Sequence, residues 1–318
     1  MAKDIVMKRF LLVITVGLGL LAPADAQKAD VILTTDCGTD VDDQWMIVYL
    51  LLSPEFNVKG IVTTHAPNLA VPQAETSANC VRDVVKRLGI PAPPIFAGSS
   101  TRLKDRTPLR NDGVDFMVKT ARQYSATHRL AIFTIGAATD VGSAFLADPG
   151  LENRVEILSM GFNSWPRGGD GWNIKNDPLA YSVILESSAP VTIGAADICK
   201  QYLKLDAKTA NQMVGDRGSV GKWLAEIFGA FVVKYKDLVT REVAPQSWVI
   251  WDDVVLAHLL KLTEYTTYPR PELNLENCEF TQKKTGKTIR WITKVDEKRM
   301  WADFLAKLDR HNRAAGVF

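Results

Sequence analysis

Apolar and polar positions follow two rhythms along this chain. Short runs rich in β-branched residues read as buried strands: "DVILTTD" (Asp30 to Asp36), "NVKGIVTTH" (Asn57 to His65), "PIFAG" (Pro94 to Gly98), "LAIFTIG" (Leu130 to Gly136), "VEILSMG" (Val155 to Gly161) and "APVTIGAAD" (Ala189 to Asp197). Between them lie stretches with helical spacing, such as "DQWMIVYLLLS" (Asp43 to Ser53) and "QAETSANCVRDVVKRLG" (Gln73 to Gly89), the second stopped by Gly89. Strands separated by helices predict βαβ units. The expected fold is therefore α/β, a single domain with a mostly parallel, Rossmann-like central sheet covered by helices on both faces. In such sheets ligands sit outside the carboxyl ends of the strands. Four polar segments fall on that edge: the acidic turn after the first strand, "HAPN" (His65 to Asn68), "IGAATD" (Ile135 to Asp140) and "GFNSWPRGGDGWNIKND" (Gly161 to Asp177). They are expected to converge on one pocket.

The N-terminus breaks this pattern. Lys8 and Arg9 precede the apolar run Phe10 to Ala22, and "ADA" (Ala24 to Ala26) has the small-x-small form of a signal-peptidase site. The run is short for a membrane span. Residues 1–26 are thus expected to be a signal peptide and residues 27–318 the folded domain, periplasmic or secreted, with no stable membrane anchoring after leader removal. Lys and Arg number 38 against 36 Asp and Glu, a formal charge of +2 that gives no reason to expect a nucleic-acid partner. The basic stretch "TQKKTGKTIR" (Thr281 to Arg290) reads as a solvated hairpin turn around a central Gly. Cys37, Cys80, Cys199 and Cys278 lack CxxC spacing, which argues against zinc; an exported chain permits one disulfide, and the sequence does not choose the pair.

The chemistry is concentrated in "TTDCGTDVDD", where Asp36, Asp40, Asp42 and Asp43 crowd one turn. Two like charges about 4 Å apart cost roughly 4 kcal/mol at a surface-like dielectric, so a cation or a proton must sit among them. Oxygen-only donors suit Ca²⁺ or Mg²⁺. An EF-hand does not fit, because no Gly holds the sixth loop position, no Glu the twelfth, and a strand precedes the turn. GxSxG and GxxxxGK[ST] motifs are absent, leaving serine-hydrolase and P-loop chemistry without support.

The acidic turn resembles the D-T-D-P-G-x-D-D signature of the inosine–uridine preferring nucleoside hydrolases, with Thr34 for the first Asp and two extra residues before the Asp pair. Further segments follow in order: "GIVTTHAPN", "PIFAGSSTRL", "FTIGAATDVGSAF" beside T-G-P-L-T-N, "LSMGF" beside M-G-G, "NIKNDPLA" beside N-x-x-x-D-P-x-A and "WDDVVLA" beside H-D-P-L-A. The resemblance implies a nucleoside hydrolase-like fold and Ca²⁺ held by Asp36, Asp43 and Asp252 with the backbone carbonyl of Ile135. It implies that Asp36 is the general base on a metal-activated water, that Asp42 and Asn173 bind ribose hydroxyls, and that Asn68 reaches the sugar. Inverting attack at the anomeric carbon would release base and ribose through an oxocarbenium-like state. The family tends to dimers and tetramers, and export fits purine salvage or scavenging.

Some positions depart from that pattern. Trp251 stands where the family has a His before the metal-binding Asp, as in purine-specific members whose indole activates the leaving base; core packing is its other reading. Gly171 replaces a Glu that would clamp the 5′-hydroxyl, so that either Asn163 or Asp170 takes over the task or the clamp is absent. His65 opens the loop beside Asn68 and is a candidate contact to base or sugar. Asp40 and Asp253 are extra acids without a family role. Two alternatives stay open beside nucleoside hydrolysis: a hydrolase of a different glycoside on this fold, and a non-catalytic periplasmic protein binding a nucleoside or polyol.

Overall fold

The computed structural model describes residues 28–316, so the expected leader at 1–26 lies outside the described residues. Among the described residues ten strands run in chain order: β1 (Ala29–Thr35), β2 (Phe56–Thr63), β3 (Ile95–Ala97), β4 (Leu130–Thr134), β5 (Val155–Met160), β6 (Val191–Gly194), β7 (Lys204–Asp206), β8 (Ser247–Val249), β9 (Thr263–Leu273) and β10 (Phe280–Val295). The helices are α1 (Asp42–Leu51), α2 (Gln73–Leu88), α3 (Asp112–Ala121), α4 (Thr139–Ala147), α5 (Asn173–Asn176), α6 (Pro178–Glu186), α7 (Ala196–Tyr202), α8 (Ala207–Val214), α9 (Gly218–Lys234), α10 (Lys236–Glu242), α11 (Asp253–Leu259) and α12 (Glu297–Ala314). The expected strands and helices are present, with ends displaced by a few residues.

Eight strands form one sheet in the order β3-β2-β1-β4-β5-β6-β10-β9. All pairs are parallel except the β9/β10 edge. Apolar side chains are buried on both faces. One layer packs α1, α2, α9, α11 and α12 against the sheet, and the other packs α3, α4 and α6. The long apolar strand runs have this cause: a central parallel strand faces helices on both sides and has no polar face to show. Helix α1 is likewise buried almost all round, and Trp45 meets Phe228 and Phe304 edge-on or tilted.

The basic stretch is a correction. Residues 281–290 lie within β10, not at a hairpin tip; the β9/β10 turn is at Asn274–Glu279, where the Asn274 N–H donates to the Glu279 carbonyl and the Cys278 N–H to the Asn274 carbonyl. Register shifts around Lys284 and a positive φ at Gly286 let the basic stretch run on as an irregular part of β10, paired with β9. The central Gly signals a bulge here, which periodicity alone does not separate from a turn.

The chain order reverses at β1, which lies between β2 and β4. In doubly wound sheets such a switch point opens a crevice at the strands' carboxyl ends. The acidic turn leaves β1 on one side of it and Ile135 leaves β4 on the other.

Candidate active site

The acidic turn is shaped from within. Gly38 takes φ +100°, a left-handed backbone that favours glycine, and packs against Cys80. Cys37 and Cys80 form a disulfide that ties the turn to α2. The Thr35 hydroxyl donates to Asp43 Oδ1 and accepts from the Cys37 N–H at 3.1 Å. Asp42 and Asp43 occupy the first turn of α1, where the helix dipole favours negative charge. Across the switch point, a Cβ on Gly136 would stand 2.8 Å from both the backbone N and Oδ1 of Asp36. Only glycine admits the carboxylate at this spot.

These residues open into a cavity of about 410 Å³. Asp36, Asp42, Asp43, Asn68, Ile135, Asn163, Asn173, Trp251 and Asp252 all line it. Asn173 donates through Nδ2 to the carbonyls of Ile135 (3.3 Å) and Met160 (3.2 Å), which orients its amide oxygen as a free acceptor. Asn68 donates to the Thr39 carbonyl at 2.9 Å, bracing the turn from the second strand's loop. His65 is a correction. Its imidazole is buried away from the cavity, 3.0 Å from the Thr139 hydroxyl, which in turn donates to Asp177. Burial lowers its pKa, as expected of a neutral ring in a structural network.

The Gly161–Asp177 loop closes over the acids by a device that spacing does not show. Asp170 Oδ2 accepts the Phe162 N–H at 2.8 Å and its other oxygen accepts the Trp172 N–H. That carboxylate staples the loop and is not free for a 5′-hydroxyl. Trp172 then reaches down, donating Nε1–H to Asp36 Oδ2 at 3.1 Å. Trp248 makes the matching contact, Nε1–H to Asp40 Oδ2 at 3.1 Å, and meets Trp251 edge-to-face. Trp172, Trp248 and Asp40 were missing from the predicted site. Trp172 immediately precedes the pocket Asn173, and that adjacency is the one signal that could have found it.

Electrostatics tests whether a cation fits. Asp36, Asp42, Asp43 and Asp252 are at most 5% exposed. Burial above all, then the neighbouring carboxylates, raises Asp42, Asp43 and Asp252 well above the usual range. Asp36 is pushed up to about 7 by burial, against which the Trp172 hydrogen bond works. Among the described residues, Asp40, Asp42 and Asp43 are the group of three carboxylates whose oxygens lie within 4.8 Å of one another. Among the described residues, no Lys or Arg forms a salt bridge with any of these acids. An all-oxygen donor set without a side-chain counter-ion fits a hard divalent cation. Asp40 belongs to the tightest trio, although the resemblance gave it no role.

The second extra acid behaves differently. Asp253 is buried, and among the described residues neither carboxylate oxygen has a partner; burial alone raises its pKa well above the usual range. It neither caps α11 nor meets solvent.

Comparison with known proteins decides the family. The sequence profile described as "Inosine-uridine preferring nucleoside hydrolase" matches residues 31–303. The chain belongs to this family. It is a hydrolase acting on N-glycosyl compounds, which sets aside the non-catalytic binding protein. The pyrimidine-specific ribonucleoside hydrolase RihA of Escherichia coli is 24% identical over 266 residues, covering 74% of this chain and 81% of that protein. Among solved structures, the purine-preferring ribonucleoside hydrolase from Gardnerella vaginalis aligns with a TM-score of 0.71 at 21% identity, covering 90% of this chain and 99% of that one. A plant nucleoside hydrolase, PpNRh1, gives 0.70 at 19%, covering 88% and 99%. These structures share the nucleoside hydrolase fold, and the family's metal dependence agrees with the acidic cluster found here.

Proposed function

We propose that this nucleoside hydrolase is calcium-dependent, that Asp36 is its general base, and that it leans toward purine ribosides. The observation that carries the reading is the meeting of Asp36, Asp42, Asp43, Ile135, Asn173 and Asp252 at one cavity, from separated stretches of chain. Asp36, Asp43, Asp252 and the Ile135 carbonyl would hold Ca²⁺. When bound, the cation supplies Lewis acidity that makes a water proton easier to remove. Asp36 takes that proton, while Asp42 and the free oxygen of Asn173 accept the ribose hydroxyls. The remaining buried carboxylates favour the positive charge that develops on the sugar ring. The aromatic surface of Trp251, edge-to-face with Trp248 in a cavity that Trp172 also lines, supports the purine preference.

Export to the periplasm or beyond is part of this reading, supported by the Cys37–Cys80 disulfide, which persists in oxidising compartments. A homo-oligomer, dimer or tetramer, is proposed with it, and light scattering on the purified protein tests that assembly.

The test is reducing-sugar release from purine and pyrimidine ribosides, with Ca²⁺ and with chelator. Release from purine ribosides that chelation abolishes is expected. Activity that survives chelation sinks the metal-assisted mechanism. One observation favours a second reading, a different glycoside at the same site. A Cβ on Gly171 would meet nothing within 4 Å, so the place of the family's clamping Glu is open space. If no riboside is cleaved, ribosides and glycosides with larger substituents at the 5′ end are the next panel.

A further inference from the structure

Hydrolysis of an N-glycosidic bond needs two proton movements, one off the attacking water and one onto the departing base. The acidic cluster can accept the first. It cannot supply the second while its carboxylates hold a cation, because they are then ionised. The family's His is Trp251 here, and an indole N–H is not a usable acid. None of the four histidines lines the cavity: His65 is bound to Thr139 and His258 to Thr263.

The other proton-bearing groups on the wall narrow quickly. The indoles of Trp172 and Trp248 already donate to Asp36 and Asp40. Arg241 pairs with Glu242, and a guanidinium does not give up its proton. Asp170 accepts two backbone N–H groups and Glu242 pairs with Arg241, so both serve as carboxylates, and Tyr235 and Lys200 remain. Lys200 stands on α7, with Nζ 5.7 Å from the centre of the Trp251 ring, and among the described residues it forms no salt bridge. A cation over an indole face is held there by the ring quadrupole, so Trp251 keeps the ammonium beside the position the resemblance assigns to the leaving base.

We propose that Lys200 is the proton donor to the departing base. The proposal rests on the reading of this cavity as a nucleoside hydrolase site. As the C1′–N bond breaks, its electron pair passes into the base and a proton moves from Lys200 Nζ to a base nitrogen or carbonyl oxygen. The water oxygen bonds to C1′ and its proton goes to Asp36. Lys200 is solvent-exposed and recovers its proton from water after product release. Trp251 is a positioning residue in this scheme as well as a stacking surface.

The experiment compares wild type, Lys200→Met and Tyr235→Phe on inosine and on 4-nitrophenyl β-D-ribofuranoside, whose phenolate leaves without protonation. Calcium binding and thermal unfolding of each variant are measured alongside. Expected for Lys200→Met is a loss of roughly 10²–10³-fold in kcat on inosine, less than about threefold on the nitrophenyl riboside, and unchanged calcium binding and Tm. Equal losses on both substrates, or none on either, overturn the proposal, as does the selective loss appearing in Tyr235→Phe instead. If wild type cleaves both substrates and Lys200→Met is not selective, the proposal fails while the hydrolase reading stands. If wild type cleaves only the nitrophenyl riboside, the proposal fails and a different glycoside becomes the substrate. If wild type cleaves neither, both readings fail.

Discussion

Trp172 donates its indole N–H to Asp36, joining the loop that covers the cavity to the carboxylate proposed to remove the water proton. The hydrogen bond opposes the effect of burial on that carboxyl. A base must be ionised to act, so the contact extends the active range toward lower pH. Trp172→Phe keeps the ring and removes the donor. A hydrogen bond to a charged group is worth about 1.5–3 kcal/mol, and one pKa unit is about 1.4 kcal/mol. Trp172 is 41% exposed, and water can replace part of the bond. The acid limb of kcat/KM should therefore move up by about half a unit to one unit. An unmoved limb would mean that Trp172 does not tune the base.

The buried acids make stability pH-dependent in a direction opposite to ordinary salt-bridged carboxylates. Asp36, Asp42, Asp43 and Asp252 all have raised pKa values in the folded chain without a cation. Unfolded, such groups ionise near the ordinary value of 3.8. Between that pH and about 7 for Asp36, the native state binds more protons, and stability falls as pH rises. The Tm of chelated protein should drop from pH 4 to pH 7, and Ca²⁺ should flatten or reverse that slope by replacing the protons. Chelated protein whose Tm rises across this range would contradict the assigned cluster.

Asp253 has a simpler expectation. Its carboxylate is buried without a partner among the described residues, and burial alone raises its pKa. Ionisation in the folded state is costly, so its stability contribution is lost as pH rises above the unfolded value. Asp253→Asn removes the charge at nearly constant shape. It should stabilise the protein by about 1–3 kcal/mol at pH 8 and by less at pH 5, measured by urea unfolding at both. Destabilisation at pH 8 would indicate that the ionised carboxylate has a cationic or water partner there.

The disulfide should matter to the site as well as to the fold. Cys37 directly follows Asp36 and is tied to Cys80 across 43 residues of chain. Closing a loop of that length contributes about 4 kcal/mol in the chain-entropy account, often less in practice. Cys80→Ser should lower Tm and also weaken calcium binding, because the acidic turn loses its anchor on α2. Isothermal titration with Ca²⁺ separates the two effects. A lower Tm with unchanged affinity would make the bond purely structural.

The alternation of apolar runs and helical stretches made the parallel sheet legible, because strands covered on both faces must be apolar throughout. The placing of four polar loops on one edge followed from the same pattern, since parallel connections return every strand in the same direction. The acidic turn could be read as a cation site from charge density alone. The bulged β10 was not legible, because a bulge and a hairpin tip use the same Gly-centred polar chemistry and only pairing distinguishes them. Nor was the inward turn of His65, since a side chain at a strand end can face either layer.

What the sequence by itself determined is the local physics: where the strands and helices lie, and that four carboxylates in one turn must share a cation or protons. Tertiary structure decided which distant groups meet those carboxylates. Trp172 and Trp248 reach Asp36 and Asp40 across separations of 136 and 208 residues. Lys200 lies over Trp251, and Asp253 is left without a partner among the described residues. Those contacts depend on side-chain direction and packing between layers, which periodicity along the chain does not encode.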